Sequence, residues 1–348
     1  MQESLIVAGE HMCVDRYHGS VPQVSLGFTH AAVTQSDHGV SPASRLRVVE
    51  LCAGAGGQAL GFEAAGFAHD CLVELDSFAC DTLRLNRPLW NVVEADLHEV
   101  DLSRWDGADV LAAGLPCPPF SVAGKQLGAR DERDLFPALL SHVSAVHPRA
   151  VLVENVRGLM ARRFDAFRRN IERCLTEMGY EVTWSMLDAQ EFGVPQTRTR
   201  SFMVAVQGCA FSFPSPSTPG GSVGAAIGDL IAQGGWRWAA AWAEQADQVA
   251  PTIVGGSAKH GGPDLGPTRA RSAWATMGVD GLGLADAPPS EAHKGMPRLT
   301  IPMVARLQAF PDDWKFAGGK TRQYRQIGNA LPPPLAEAMA NALAACLA

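Results

Sequence analysis

The residue of this chain best placed to form a covalent bond is Cys117, in the run Gly114-Leu115-Pro116-Cys117-Pro118-Pro119-Phe120-Ser121 directly after the apolar stretch Val110-Leu111-Ala112-Ala113. A thiol in a proline-stiffened loop at the carboxyl end of a buried strand has the position an α/β sheet gives to reacting groups, because ligands bind beyond those strand ends. Most free cysteines are small buried hydrophobes, so the weight falls on what accompanies this one. Downstream, Val151-Leu152-Val153 runs into Glu154-Asn155-Val156. A carboxylate at the very end of a buried strand costs desolvation energy unless it has a partner or a task. Thiol and carboxylate would occupy neighbouring strand ends and face one ligand. Gln196-Thr197-Arg198-Thr199-Arg200 then adds two arginines at alternate positions, which on a strand share one face.

A second constellation opens the sequence pattern. Glu50-Leu51-Cys52-Ala53-Gly54-Ala55-Gly56-Gly57 follows an apolar run of strand length, Leu46 to Leu51, and leads into a helical pattern. Glycines there let the backbone turn tightly and approach a ligand, while helix N-terminal amides face it. The next strand pattern ends in Glu74-Leu75-Asp76, an acid placed to accept both hydroxyls of a ribose. Asp96 follows the third and could accept from an adenine amino group, with Leu97 beside it. Each acid could equally be a helix cap or turn residue. Taken alone, this half fits NAD as well as S-adenosylmethionine.

The elements that must position these groups alternate along the chain. Strands are expected at 46–51, 71–75, 92–93, 110–113, 150–153 and 202–206, with helices at 58–65, 77–86, 135–146 and 164–178. That alternation specifies an α/β fold with a mostly parallel sheet. Residues 208–297 change character: Pro, Ser and Gly-Gly runs, four tryptophans (Trp236, Trp238, Trp242, Trp274) and little helical periodicity predict a separate, loop-rich domain. Helical pattern returns at 302–308 and 333–347, and residues 1–44 read as a poorly ordered extension.

With 47% hydrophobic and 19% charged residues, predominant disorder is excluded. No run approaches a membrane span, and no leader-like start is present, so the expectation is a cytoplasmic chain with no membrane partner. Eight cysteines without a Cys-x-x-Cys pair predict reduced thiols and no metal site. The net charge of −7 argues against a polyanionic partner at face value. Charge is local, however: Arg157, Arg162, Arg163, Arg168, Arg169 and Arg173 cluster in one stretch and Arg298, Arg306, Lys315, Lys320, Arg322 and Arg325 in a second, each as either a solvated helix face or a phosphate-binding surface.

In order, Gly-x-Gly-Gly, Pro-Cys, Glu-Asn-Val, Gln-x-Arg-x-Arg, Arg-Leu-x-x-Phe-Pro and Gly-Asn-x-x-Pro-Pro (Gly328 to Pro333) resemble the DNA (cytosine-5) methyltransferases over residues 46–347. The resemblance implies a Rossmann-like S-adenosylmethionine-dependent sheet built from residues 45–207 and 298–348, with 208–297 as a target recognition domain. It assigns Cys117 as the nucleophile that adds to cytosine C6, Glu154 as the group holding N3 and the amino group, and Arg200 with Arg198 as contacts to the base carbonyl and supports for the acid and thiol. It implies cofactor contacts at Cys52, Gly54, Ala55, Gly56, Glu74, Leu75, Asp96, Leu97, Pro116 and Asn329, with Leu135 and Leu331 as weaker candidates. DNA contacts are expected from Ser121, Thr252, Arg269 and Arg271, the pair Thr252-Ile253 resembling the short Thr-Leu element of that domain. The implied partner is double-stranded DNA, bound by a monomer that extrudes the target base. The usual setting is a bacterial type II restriction-modification system with an endonuclease acting on the same sequence.

Three positions depart from the family's pattern: Cys52 where Phe is common, Leu75 in place of an aromatic, and Pro118 in place of Gln after the nucleophile. None removes a reacting atom. A tRNA-specific relative would carry a Cys-Phe-Thr signature between 208 and 297, which is absent. A nonenzymatic relative would have lost Cys117, Glu154 or Arg200, and a nicotinamide enzyme gives Pro-Cys with Glu-Asn-Val no role.

Overall fold

Residues 45–116, 135–255 and 263–348 are described by the computed structural model. Short apolar runs become the strands β1 (Arg47–Leu51), β2 (Ala68–Glu74), β3 (Val92–Glu94), β4 (Val110–Gly114) and β5 (Ala150–Val156), followed by β6 (Glu181–Asp188) and β7 (Thr199–Val206). They form one sheet in the order β3-β2-β1-β4-β5-β7-β6. Pairing is parallel from β3 through β5, while β7 runs antiparallel to both β5 and β6. This is the expected Rossmann-like α/β sheet. Strand order reverses around β1 and β4, so a crevice opens beyond their carboxyl ends.

The helices α1 (Gly57–Ala64), α2 (Ser77–Asn86), α3 (Phe136–Val146) and α4 (Asp165–Glu177) fall close to the expected spans. The side chains of α3 and α4 bury one face of the sheet, with Leu139, Val143, Ile171 and Leu175 against Val49, Leu111, Val151 and Met203. The other face is covered by α1 and the C-terminal α10 (Pro333–Leu347), with Phe62, Leu335, Met339 and Leu343 against Val48, Ala112, Leu152 and Val204. The two helices touch backbone to side chain at Gly61, where a Cβ would stand 2.4 Å from both the Ala336 methyl and the Glu337 amide nitrogen.

Three expectations change. Residues 208–297 hold helices α5 (Val223–Ala232), α6 (Ala239–Gln245) and α7 (Thr268–Thr276), where little helical pattern was read. Glycines concealed α5: at Gly224 a Cβ would come within 1.9 Å of the Ala243 carbonyl oxygen, so the residue that reads as a breaker is what lets α6 approach. These helices share a hydrophobic cluster with α8 (Ile301–Leu307), α9 (Lys320–Asn329) and sheet-side residues Leu60, Leu72 and Leu83. Strand β6 and helix α9 were not anticipated. The first is a half-exposed edge strand with mixed alternation, and the second is strongly polar and ends in the Gly328-Asn329 turn. Third, the expectation of reduced thiols fails at Cys209 and Cys346, which form a disulfide between the exit of β7 and the last turn of α10. Their sequence separation of 137 carries no pairing signal; the fold alone brings them together. No helix among the described residues is long and apolar enough to cross a membrane.

One buried cation ties these parts. Arg198, 1% exposed and immediately before β7, donates to the carbonyls of Ile253 (2.9 Å), Gly328 (2.8 Å) and Ala330 (2.9 Å). Gln196, fully buried, bonds Gln308 (2.5 Å) and the Leu307 carbonyl (3.3 Å), and accepts from the Ile253 amide (2.9 Å). Gln308 in turn donates to the Ala330 carbonyl at 2.6 Å. The sheet, the 208–297 segment and the turn between α9 and α10 therefore meet at two side chains. Removing the guanidinium would take this donor from the Ile253 and Gly328 carbonyls, at about 1–3 kcal/mol each, while Ala330 keeps its bond from Gln308. Arg198→Ala is expected to lower unfolding stability by about 3–5 kcal/mol, and Arg198→Lys to recover little of it, since an ammonium lacks the planar fork. Denaturant titration checks this; a loss within about 0.5 kcal/mol, typical of an ordinary surface site, would show that the clamp is not holding.

Candidate active site

Among the expected residues, Gly54, Glu74, Asp96, Pro116 and Glu154 end or follow the parallel strands at their carboxyl ends, and Arg200 opens β7 against the end of β5. Glu154 lies opposite Gly114 in the β4–β5 register, three residues before Cys117 in the chain. Asn155, 2% exposed, donates through its side chain to the Leu115 carbonyl at 3.3 Å and accepts the Val156 amide at 2.9 Å, tying the root of the Cys117 loop to β5. Cys117 and Ser121 themselves lie outside the described residues. Pro116, the last described residue of this loop, is exposed.

Glu154 is buried on the same sheet face as Phe202 and Arg200, and its carboxylate pairs with the Arg200 Nε at 2.9 Å. Burial pushes the Glu154 carboxyl above the ordinary range, opposed first by Arg200 and then by Arg198. An acid held this way keeps a proton to higher pH than a free carboxyl. Arg200 also donates through Nη1 to the Thr199 carbonyl at 2.9 Å, which orients its planar head toward the strand end. The two arginines thus divide their tasks: Arg200 touches the acid, whereas the Arg198 guanidinium donates to backbone carbonyls. Burial, then the Arg200 charge, drives the Arg198 pKa below its ordinary value.

Across the crevice, the glycine turn is held by Glu74. Its Oε2 accepts the Gly54 amide at 2.8 Å, and its Oε1 accepts the amides of Leu75 (2.9 Å) and Asp76 (2.8 Å). Desolvation raises the Glu74 pKa, and these three amides oppose it. An ionised carboxylate offers about four acceptor sites, so capacity for a hydroxyl remains. Gly54 sits at φ 57 with nothing within 4 Å of a would-be Cβ, leaving space beside the turn, and Gly56 at φ 90 caps α1. Leu75 is 65% exposed, an apolar surface next to the acid. Asp96 Oδ1 accepts the His98 amide at 2.9 Å, while Leu97 is buried beneath it. These features fit a nucleoside with a ribose and a flat base.

Both halves adjoin. A Cβ on Gly114 would lie 3.3 Å from the Cys52 carbonyl, and one on Gly57 would lie 2.2 Å from the Leu331 carbonyl, which brings the Asn329 turn to the start of α1. Asn329 is exposed there, its side-chain oxygen against Gly255. Sequence reasoning missed Trp314, whose indole nitrogen donates to the Ala55 carbonyl at 3.2 Å and supports the turn from below. Its place four residues after the Phe310-Pro311 start was the available signal. Gln196 and Gln308 fall inside the Gln-x-Arg-x-Arg and Arg-Leu-x-x-Phe-Pro motifs, whose spacing alone assigns them no task.

The expected DNA contacts behave differently from one another. Thr252 is turned inward, its hydroxyl donating to the Thr197 carbonyl at 2.6 Å, and with Ile253 it stitches this segment to the arginine motif. Arg271 reaches Asp264 at 3.7 Å and Thr268 at 3.4 Å, while Arg269 is exposed on α7 with no acidic partner among the described residues. The three free thiols among the described residues, Cys52, Cys71 and Cys80, are each pushed up to about 12, chiefly by burial, so none supplies a thiolate near neutrality.

Comparisons with known proteins identify the family and the fold. The chain is 50% identical over 311 residues to the type II methyltransferase M.NaeI of Lentzea aerocolonigenes, covering 87% of this chain and 75% of that protein. It is 45% identical over 298 residues to the type II methyltransferase M.NgoMIV of Neisseria gonorrhoeae, covering 84% and 95%. Among solved structures, the fold matches the methyltransferase EhMeth of Entamoeba histolytica (TM-score 0.60, 13% identity, 86% of this chain and 98% of that one). It also matches the Dnmt2 methyltransferase of S. pombe (TM-score 0.59, 16% identity, 86% and 98%). A model of the C-5 cytosine-specific DNA methylases matches residues 46–345, and the chain belongs to that family.

Proposed function

We propose that the chain transfers the methyl group of S-adenosylmethionine to C5 of a cytosine turned out of a specific double-stranded DNA sequence, through a transient bond between Cys117 and C6, as the modification enzyme of a restriction-modification system. The observation that carries this reading is the buried Glu154–Arg200 pair at the end of β5, opposite the root of the Cys117 loop and beside the acid-held glycine turn. The type II relatives support the restriction-modification setting, and with it an endonuclease acting on the same sequence. The chain acts as a monomer on DNA in the cytoplasm.

Cytosine C5 is a poor nucleophile until C6 is saturated. Attack of the Cys117 thiolate on C6 forms the S–C6 bond and moves the ring electron pair toward C5. Glu154, whose burial favours its protonated form, shares a hydrogen bond with N3 and offsets the charge developing on the ring. Arg200 retains free guanidinium donors for the base carbonyl oxygen. When bound, S-adenosylmethionine supplies an electrophilic methyl, which the C5 electron pair takes. Removal of the C5 proton by a base then restores the ring double bond and breaks S–C6, returning the thiolate. Glu74 would accept the ribose hydroxyls and Asp96 the adenine amino group. Cys52, Gly54, Ala55, Gly56, Leu75, Leu97, Pro116 and Asn329 would line the same site. Ser121, Thr252, Arg269 and Arg271 would serve the DNA side, with Thr252 acting through its link to Thr197.

Bisulfite sequencing of DNA from cells expressing the chain tests the reading. One sequence context should become fully protected, and Cys117→Ser should abolish protection. Glu154→Gln is expected to slow methyl transfer by about 10²–10⁴-fold while duplex binding persists. No protected cytosine from a folded protein would contradict it. For the cofactor, Glu74→Ala removes the acceptor that also fixes Gly54. S-adenosylmethionine affinity should fall by about 1.5–3 kcal/mol for each charge-assisted hydrogen bond lost, and calorimetric titration showing unchanged affinity would remove Glu74 from the site.

A further inference from the structure

The arginine-rich stretch after β5 divides into two kinds of residue. On α4, Arg168 pairs with Asp165 at 2.6 Å and Arg173 with Glu177 at 2.6 Å, each one turn away, as on a solvated helix face, while Arg169 is exposed between them without an acidic partner among the described residues. Arg157, Arg162 and Arg163 are exposed and lie on two short 3-10 turns, Arg157–Met160 and Arg162–Phe164, with no acidic partner among the described residues. Arg163 rests over the Phe164 ring at 5.0 Å, which limits its freedom without neutralising it. Three exposed guanidinium groups on successive turns, none paired with a carboxylate among the described residues, are available to meet an anion.

The turns that carry them are fixed from inside. Leu159 is fully buried and Phe164 is 5% exposed, both in the core under β5. Arg168 donates to the Leu159 carbonyl at 2.6 Å and the Ala161 carbonyl at 3.5 Å, pinning the loop that joins the turns. The Ser201 hydroxyl lies 3.2 Å from the Asn155 carbonyl and 3.0 Å from that of Val156, which sets the direction in which the chain leaves β5. Arg157 follows Glu154 by three residues, a span of about 10 Å in extended chain. Arg157 therefore stands near the strand end that carries Glu154, and the two pinned turns carry Arg162 and Arg163 on from it.

From this placement we infer that Arg157, Arg162 and Arg163 form a pre-set anchor for the phosphodiester backbone flanking the extruded base, on the sheet-side rim of the cleft. The inference rests on the proposed DNA-modifying reading. It accounts for how a chain of net charge −7 holds a polyanion: positive charge is concentrated and left unpaired where the duplex must lie. Phosphate contacts set register without reading sequence. The anchor should therefore set affinity and leave the methylated site unchanged.

Each phosphate neutralised contributes about 0.9 to the slope of log affinity against log salt. Binding of the full chain to a short mixed-sequence duplex, followed by fluorescence anisotropy between about 50 and 200 mM salt, reads that slope. Joint replacement Arg157→Gln, Arg162→Gln and Arg163→Gln should reduce its magnitude by about 2–3, and replacement of the paired Arg173→Gln on α4 should leave it unchanged. At low salt the triple variant should still methylate the same cytosine. If the triple variant does not fold, Arg162→Gln alone should reduce the slope by about 0.9. An unchanged slope, or an equal change in the α4 control, overturns the anchor. A wild-type chain that binds duplex with this slope but methylates no cytosine overturns the functional reading instead.

Discussion

The site depends on a cation taken fully out of water. The Arg198 guanidinium has no carboxylate in hydrogen-bonding contact among the described residues and is satisfied mainly by three backbone carbonyls, each more than fifty residues from it in the chain. A buried guanidinium is tolerated only where its donors find acceptors in fixed directions. The carbonyls of Ile253, Gly328 and Ala330 must therefore be held where the fork points, and the start of β7, the 208–297 segment and the α9–α10 turn keep one arrangement. Arg200, two residues on, inherits that rigidity and presents its Nε to Glu154.

The same economy of charge runs along the strand ends. Glu74 is largely withdrawn from solvent yet accepts three amides, so the acid that would meet a ribose also shapes the turn beside it. Glu154 is buried against a single arginine, a setting that raises its proton affinity and suits it to hydrogen-bond a ring nitrogen. Among the described residues, the thiols of Cys52, Cys71 and Cys80 are pushed up to about 12, chiefly by burial, and so stay protonated near neutrality.

Much of this was legible from residue order because strands buried on both faces leave unbroken apolar runs, and the reacting groups follow those runs directly. Val110 to Ala113 and Ala150 to Val153 located Gly114 and Glu154 within a residue of where pairing places them. What escaped had weaker patterns. Helix α5 contains Gly224 and Gly228, which look like breaks until the Ala243 backbone and side chain are seen against them. The edge strand β6 lacks a clean alternation because both its faces are half exposed. Arg198 appeared beside Arg200 in one motif, yet its work is with carbonyls 55 to 132 residues away, a relation no local spacing encodes. The Cys209–Cys346 bond escaped for the same reason.

The central claim is that a thiolate at Cys117 adds to cytosine C6 before methyl transfer, and a duplex carrying 5-fluorocytosine at the methylated position tests it most directly. Fluorine cannot leave as the C5 proton does, so elimination stalls after methyl transfer with the protein still attached. The account predicts a complex that survives denaturation, forms only with S-adenosylmethionine, and yields on mass spectrometry a peptide linked at Cys117. Attachment at any other cysteine, or no attachment by an enzyme that methylates the unfluorinated duplex, would contradict it.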